Sequence, residues 1–265
     1  MNKITTTTLK KMKQAGEKFT CLTAYDASFA MAQENAGVEV ILVGDSLGMV
    51  VKGQASTLSV TMDEMVYHTA NVSRVCYKSL IMSDLPFAAD VTKKQTYSNS
   101  ARLISEGGAH IVKIEGGATL LASIEFMANR GIAVCSHLGL LPQSVYKMGG
   151  YRIQGRTPEE AEQILKDAIA LEQAGTDILL LECVPAELAA QITASVQIPV
   201  IGIGAGAACD AQVLVSYDML GLTQGTPASF VKNFLNDSNS IQDAFKAYVE
   251  QVKNGQFPSA EHSFN

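Results

Sequence analysis

Short apolar runs punctuate the chain, each closed by a polar break and most followed by residues at helical spacing. The runs cover residues 19–23, 40–43, 80–83, 111–114, 133–136, 178–181, 200–203 and 212–215. They are apolar at successive positions, as parallel strands covered on both faces must be. Helix signals lie between most of them. Thr61-Met62-Asp63-Glu64 is a capping box, in which the threonine hydroxyl accepts from the Glu64 amide and the glutamate reaches back. Thr157-Pro158-Glu159-Glu160 is another, with proline at the first helical position, where its missing N–H costs nothing. That helix should run to Ala174, with Gly175 as its left-handed stop. Leu9, Met12 and Lys13 share one helical face, which predicts a short N-terminal helix closing the floor of the fold.

Eight strands alternating with helices fit a closed barrel or an open, doubly wound sheet. The count favours a (β/α)8 TIM barrel. So does the placing of polar residues after strand C-termini along the whole chain, where barrels carry their sites; an open sheet gathers them at one switch point. The helix after the seventh strand, near Ala207 to Asp210, is nearly missing. The longest irregular stretch, 138–155, is expected to lie over the site. Two further helices are expected after the barrel, at 227–235 and 241–253. The whole chain, 1–265, reads as one domain, close to the roughly 250 residues such a barrel needs.

Composition narrows the function. The chain is 47% hydrophobic and 17% charged, which describes a packed globular protein. A net charge of -6 argues against nucleic acid and anionic membrane as partners, since both need a basic footprint. No apolar run approaches the roughly 18 residues of a spanning helix. Five cysteines (21, 76, 135, 183 and 209) form no C-x-x-C pair, which suits small buried side chains in a reducing cytoplasm.

Four strand ends carry an acid: Asp45, Asp84, Glu115 and Glu182. In a barrel all four face one mouth. Carboxylates gathered there repel one another strongly, which calls for a cation, and Mg²⁺ suits a site with few protein ligands and several waters. Capping of the following helix explains one such acid but poorly explains four. Lys113 lies two residues before Glu115, so both point the same way. It could grip a substrate carboxylate, pair with Glu115, or do both. His137 ends the fifth strand and is a candidate partner for a substrate oxygen, or else a hydrogen-bonded core histidine. The glycines of 202–206 lack the G-x-G-x-x-G spacing and suit a tight turn better than an anion cradle.

Motifs run in order along nearly the whole chain: T-A-Y-D at 23–26, V-G-D-S-L-G-M at 43–49, D-L-P-F at 84–87, V-K-I-E-G-G at 112–117, H-L-G-L at 137–140, P-Q-S at 142–144, L-E-C-V-P at 181–185, I-P-V-I-G-I-G-A-G at 198–206 and E-H-S-F at 261–264. In these the sequence resembles the ketopantoate hydroxymethyltransferase family. The resemblance implies a barrel of the phosphoenolpyruvate mutase/isocitrate lyase group. It implies transfer of a hydroxymethyl group from 5,10-methylenetetrahydrofolate to 3-methyl-2-oxobutanoate, through an enolate stabilised by Mg²⁺, on the way to pantothenate. It also implies roles. Asp45 and Asp84 bind Mg²⁺, and Glu115 completes or supports that site. Ser46, Lys113 and His137 join the two aspartates in holding the oxo acid, and Glu182 is the base. The family assembles as a homodecamer of two stacked rings of five. Tyr217, Ala211 and the pair Ala228-Ser229 depart from the family's usual residues, all after the seventh strand and apart from the acid cluster. A carbon–carbon lyase of the same barrel group is the nearest alternative, and would need a cysteine within 138–155, where none occurs. An inactive ring-forming binding protein is the other.

Overall fold

The computed structural model describes residues 3–223 and 225–264. Its eight strands are β1 (Phe19–Thr23), β2 (Val40–Val43), β3 (Leu80–Asp84), β4 (Ile111–Glu115), β5 (Val134–Gly139), β6 (Ile178–Glu182), β7 (Val200–Ile203) and β8 (Ala211–Leu214). Each pairs in parallel with the next, and β8 pairs back onto β1, so the sheet closes. The barrel is therefore the outcome of the two topologies that the pattern allowed.

The continuous apolar runs resolve into two faces once the strand period of two is applied. One parity points inward: Phe19 and Cys21, Val40 and Leu42, Leu80 and Met82, Ile178 and Leu180, with Ile111, Cys135, Ile201 and Val213. The other parity, including Leu22, Ile41, Ile81, Val112 and Leu179, packs beneath the helices. Both faces are dry, which is why no alternation shows in the sequence.

Helix Thr6–Ala15 starts on a capping box between Thr5 and Thr8 and stops at Gly16, φ +70°. Its fully buried Leu9, with Ile4 and Met12, joins the inward cluster, so the expected floor helix is present. Both capping boxes at Thr61 and Thr157 are formed. Helix Pro158–Gln173 is capped by Ala174, with Gly175 at φ +106°. Between β7 and β8 no helix intervenes.

Helix Ile241–Lys253 lies against helix Ala27–Ala36 and β1. Its buried Tyr248 donates its hydroxyl proton at the β1–β8 seam, where the carbonyls of Cys21 (3.0 Å) and Gln212 (2.8 Å) both lie in reach. The other expected C-terminal helix, 227–235, does not form; the segment is a series of turns. Asn233 Oδ1 accepts from the Leu235 amide, a local bond that competes with helix, and its side chain sits against Gly221. Phe234 packs into the core against Tyr248 and Phe257. All five cysteines are buried and unbonded. Among the described residues no helix is long and apolar enough to cross a membrane.

Candidate active site

At the C-terminal end of the strands the inward stripe turns polar. Asp84 follows Met82, Lys113 and Glu115 follow Ile111, His137 follows Cys135, and Glu182 follows Leu180, each at a spacing of two. Pairing register sets neighbours: Asp84 lies beside Lys113, and Glu115 beside His137. Asp45 and Ser46 arrive from the turn after β2. A Cβ on Gly44 would stand 2.7 Å from Ser46 Oγ, so glycine lets that turn fold inward.

The contacts form one chain. Asp84 Oδ2 accepts the Asp45 amide at 3.0 Å, and Lys113 Nζ lies 3.1 Å from Asp84 Oδ1 and 4.0 Å from Glu115 Oε1. His137 stands between two acids, with Nδ1 3.6 Å from Glu115 Oε1 and Nε2 3.4 Å from Glu182 Oε2. The Tyr25 hydroxyl is 2.8 Å from Ser46 Oγ. Glu182 keeps 16% of its side chain exposed, whereas Asp84, Lys113, Glu115 and His137 keep 5% or less; the base candidate is the acid open to the cavity. The backbone turns sharply after it: Cys183 has φ +48°, its N–H donating to Ile203 and its carbonyl accepting from Gln154. Such a conformation in a non-glycine residue is strained, and strain of this kind gathers at active sites.

Burial, with Asp84 and Glu115, pushes the Asp45 carboxyl well above the usual range, against the pull of Lys113 and Gln143. Burial also raises Asp84, although Lys113 and the Asp45 amide oppose it. Glu115 goes the other way. Burial would raise it, but His137, Lys113 and the Gln143 amide together hold it below its ordinary value. Burial disfavours the Lys113 ammonium, yet Asp84, Glu115 and Asp45 more than restore it. His137 is lowered by burial and Lys113, but Glu115 and Glu182 outweigh both and raise it.

Among the described residues no three His, Cys, Asp or Glu side chains form a ready-made metal cage. Glu115 Oε2 accepts the Gln143 amide and its Oε1 lies near Lys113 and His137, while Asp45 and Asp84 adjoin one another through the Asp45 amide. Asp84 Oδ1 is buried with no hydrogen bond, its one charged neighbour being Lys113 Nζ at 3.1 Å. Two carboxylates with a free oxygen fit Mg²⁺, which is bound by one or two carboxylates and keeps several waters. Glu115 Oε1, His137 Nε2 and Thr57 Oγ1 are likewise buried without a hydrogen bond, and all line the same cavity of about 570 Å³. Buried polar atoms are normally satisfied, so four such atoms around one cavity mark a polar ligand site.

Sequence reasoning did not single out Gln143. Its Nε2 donates to Asp45 Oδ2 and to the Leu85 carbonyl, both at 2.8 Å, and its amide donates to Glu115 Oε2 at 3.0 Å. It ties the aspartate and glutamate ends of the cluster together. Its signal was its place in P-Q-S within 138–155, a stretch that does lie over the site: Pro142, Tyr151, Arg152 and Ile153 line the cavity. The departing residues are not all remote. Ala228 and Ser229 line the cavity wall, whereas Tyr217 stacks on Phe29 at 5.3 Å and Ala211 is buried inside the barrel. Gly204, φ +58°, packs so closely under Phe230 and Phe264 that a Cβ would stand 2.9 Å from each; these glycines serve close approach.

A closed barrel with an acid, lysine and histidine cluster at its C-terminal mouth has the layout of a (β/α)8-barrel enzyme. Solved structures share the architecture. A phosphoenolpyruvate phosphomutase from Streptomyces platensis superposes with a TM-score of 0.62 at 14% identity, over 82% of each chain. A 2,3-dimethylmalate lyase does so at 0.60 and 18%, again over 82% of each. At the level of sequence, the ketopantoate hydroxymethyltransferase profile matches residues 3–260. Proteins named 3-methyl-2-oxobutanoate hydroxymethyltransferase are 56% identical in Nitrosococcus oceani and 57% in Pseudomonas putida, each over 100% of both chains. One from Nitrosospira multiformis is 52% identical over 99% of this chain and all of its own. The chain belongs to the ketopantoate hydroxymethyltransferase family.

Proposed function

We infer that the chain transfers a hydroxymethyl group to 3-methyl-2-oxobutanoate, giving ketopantoate for pantothenate synthesis, with 5,10-methylenetetrahydrofolate as donor. The carrying observation is the meeting of Asp45, Asp84, Lys113, His137 and Glu182 around one cavity, in a chain of this family. Asp45 and Asp84 would hold Mg²⁺, with Glu115 supporting them through Gln143. Bound there, Mg²⁺ supplies a Lewis acid for the oxygens of the 2-oxo acid.

The residues of the chain do the rest. The Lys113 ammonium, kept charged by its acid neighbours, meets the substrate carboxylate. Ser46, held by the Tyr25 hydroxyl, donates to the same group. Glu182, open to the cavity and with His137 Nε2 3.4 Å from its Oε2, takes the proton from C3. A positioned base of this kind contributes about 10²–10⁴-fold. The fixed charges around it, in a site shielded from water, add the larger part. The C3 carbanion then forms a C–C bond to the donor's methylene carbon as one of that carbon's C–N bonds breaks; water supplies the product's hydroxyl as the second C–N bond breaks, and tetrahydrofolate leaves with its nitrogens protonated.

Five buried, unpaired cysteines suit the cytoplasm. Exposed Tyr67, Tyr77, Phe87 and Val91 offer apolar surface for the homodecamer that the family forms.

Incubating the purified chain with Mg²⁺, oxo acid and donor tests the reading. Ketopantoate should accumulate, stop on chelation with EDTA and resume when Mg²⁺ is restored. No product under saturating conditions, or full activity after exhaustive chelation, would refute it.

A further inference from the structure

A second hollow, of about 380 Å³, opens beside the first, lined by Ala55, Ser56, Val145, Tyr146, Gly149, Gly150 and Tyr151. Tyr151 belongs to both and forms the sill between them, its hydroxyl 3.6 Å from the Met49 sulfur. Arg152 lines the main cavity as well. Its guanidinium carbon lies 3.8 Å from where a Cβ on Gly149 would stand, so the cation also borders the second hollow. Among the described residues, neither Arg152 nor the exposed Lys147 of the short helix Val145–Met148 is in an ion pair. Tyr146 and Tyr151 expose 78% and 54% of their surface.

A branched five-carbon oxo acid is too small for the main cavity, which leaves room for part of a larger donor. A folate joins a bicyclic ring to a flat benzoyl ring and an anionic glutamate tail. The inner wall, with Leu180, Ile203, Phe230 and Phe264, is apolar. The outer hollow is aromatic and bordered by the Arg152 guanidinium, with Lys147 on the helix that carries two of its lining residues, in a chain whose net charge is -6. Flat aromatic groups pack on tyrosine faces, and a guanidinium matches a carboxylate in a bidentate pair. Resting on the folate reading above, we propose that the second hollow is the exit channel for the donor's tail, with the benzoyl ring against Tyr151 and the glutamate carboxylates on Arg152 and Lys147.

The test compares mono- and triglutamyl 5,10-methylenetetrahydrofolate with the intact protein, Arg152→Gln and Arg152→Lys. In the wild type the triglutamyl donor should have the lower KM, an advantage that shrinks as salt rises. Arg152→Gln should raise KM for the triglutamyl donor about tenfold, the scale of one lost charge-assisted contact, while KM for the oxo acid holds. Arg152→Lys should recover part of the loss. An unchanged donor KM in Arg152→Gln, or a rise shared equally by the oxo acid, overturns the channel while leaving the reaction itself intact. Absence of any turnover by the wild type would instead overturn the folate reading, and this inference with it.

Discussion

Asp84 is the residue on which the site's charge turns. It accepts the Asp45 amide on one oxygen and faces the Lys113 ammonium with the other. Asp84→Ala should therefore demand at least about tenfold more Mg²⁺ for half-maximal activity, since even removing a partner of a metal ligand costs 10–100-fold. A Mg²⁺ titration of turnover checks this, and an unchanged midpoint would remove Asp84 from the ligand set. The acids were legible in the sequence because each lies at or just past the C-terminal end of an apolar strand, where a barrel carries its site. Gln143 was not, because a loop residue has no parity to extend. Nor does sequence show that His137 and Gln143 meet at Glu115; that depends on side chains brought together from β4, β5 and the loop after it.

Elements are held in place by smaller devices of the same kind. Glu34, near the end of helix Ala27–Ala36, accepts from the amides of Tyr77, Lys78 and Ser79 and so fixes the turn that enters β3. Burial would raise its pKa, but those three amides prevail and lower it. With the folded value below the unfolded one, the stabilisation is fully present above the ordinary glutamate pKa of about 4.3. It is lost as pH falls through the folded value. Glu34→Gln should cost about 1 kcal/mol at pH 7, a figure reduced for its partial exposure, with the gap to wild type closing below about pH 4. Urea melts at both pH values read this directly, and a gap independent of pH would discount the charge. Element boundaries were readable where caps announce them, at Thr61, Thr157 and Gly175. The segment 227–235 misled because its apolar spacing suits a helix, while Asn233 bonds locally and Phe234 is drawn into the core.

For the whole molecule, the sequence pattern left barrel and open sheet both possible, and closure depends on the β1–β8 pairing, the strand pairing most distant along the chain. Nothing local encodes that seam; Tyr248 spans it from the C-terminal helix. The exposed Tyr67, Tyr77 and Phe87 belong to this scale too. Light scattering after size exclusion should return about ten times the 28.2 kDa of one chain. A single species at the monomer mass would contradict the decamer.

Hydrogen exchange at C3 of 3-methyl-2-oxobutanoate in D₂O, followed by NMR with Mg²⁺ and no folate, isolates the work of the acid cluster. The wild-type protein should exchange that hydrogen, and Glu182→Gln should slow exchange by about 10²–10⁴-fold while still binding the oxo acid. Exchange by Glu182→Gln at the wild-type rate would contradict the assignment of the base.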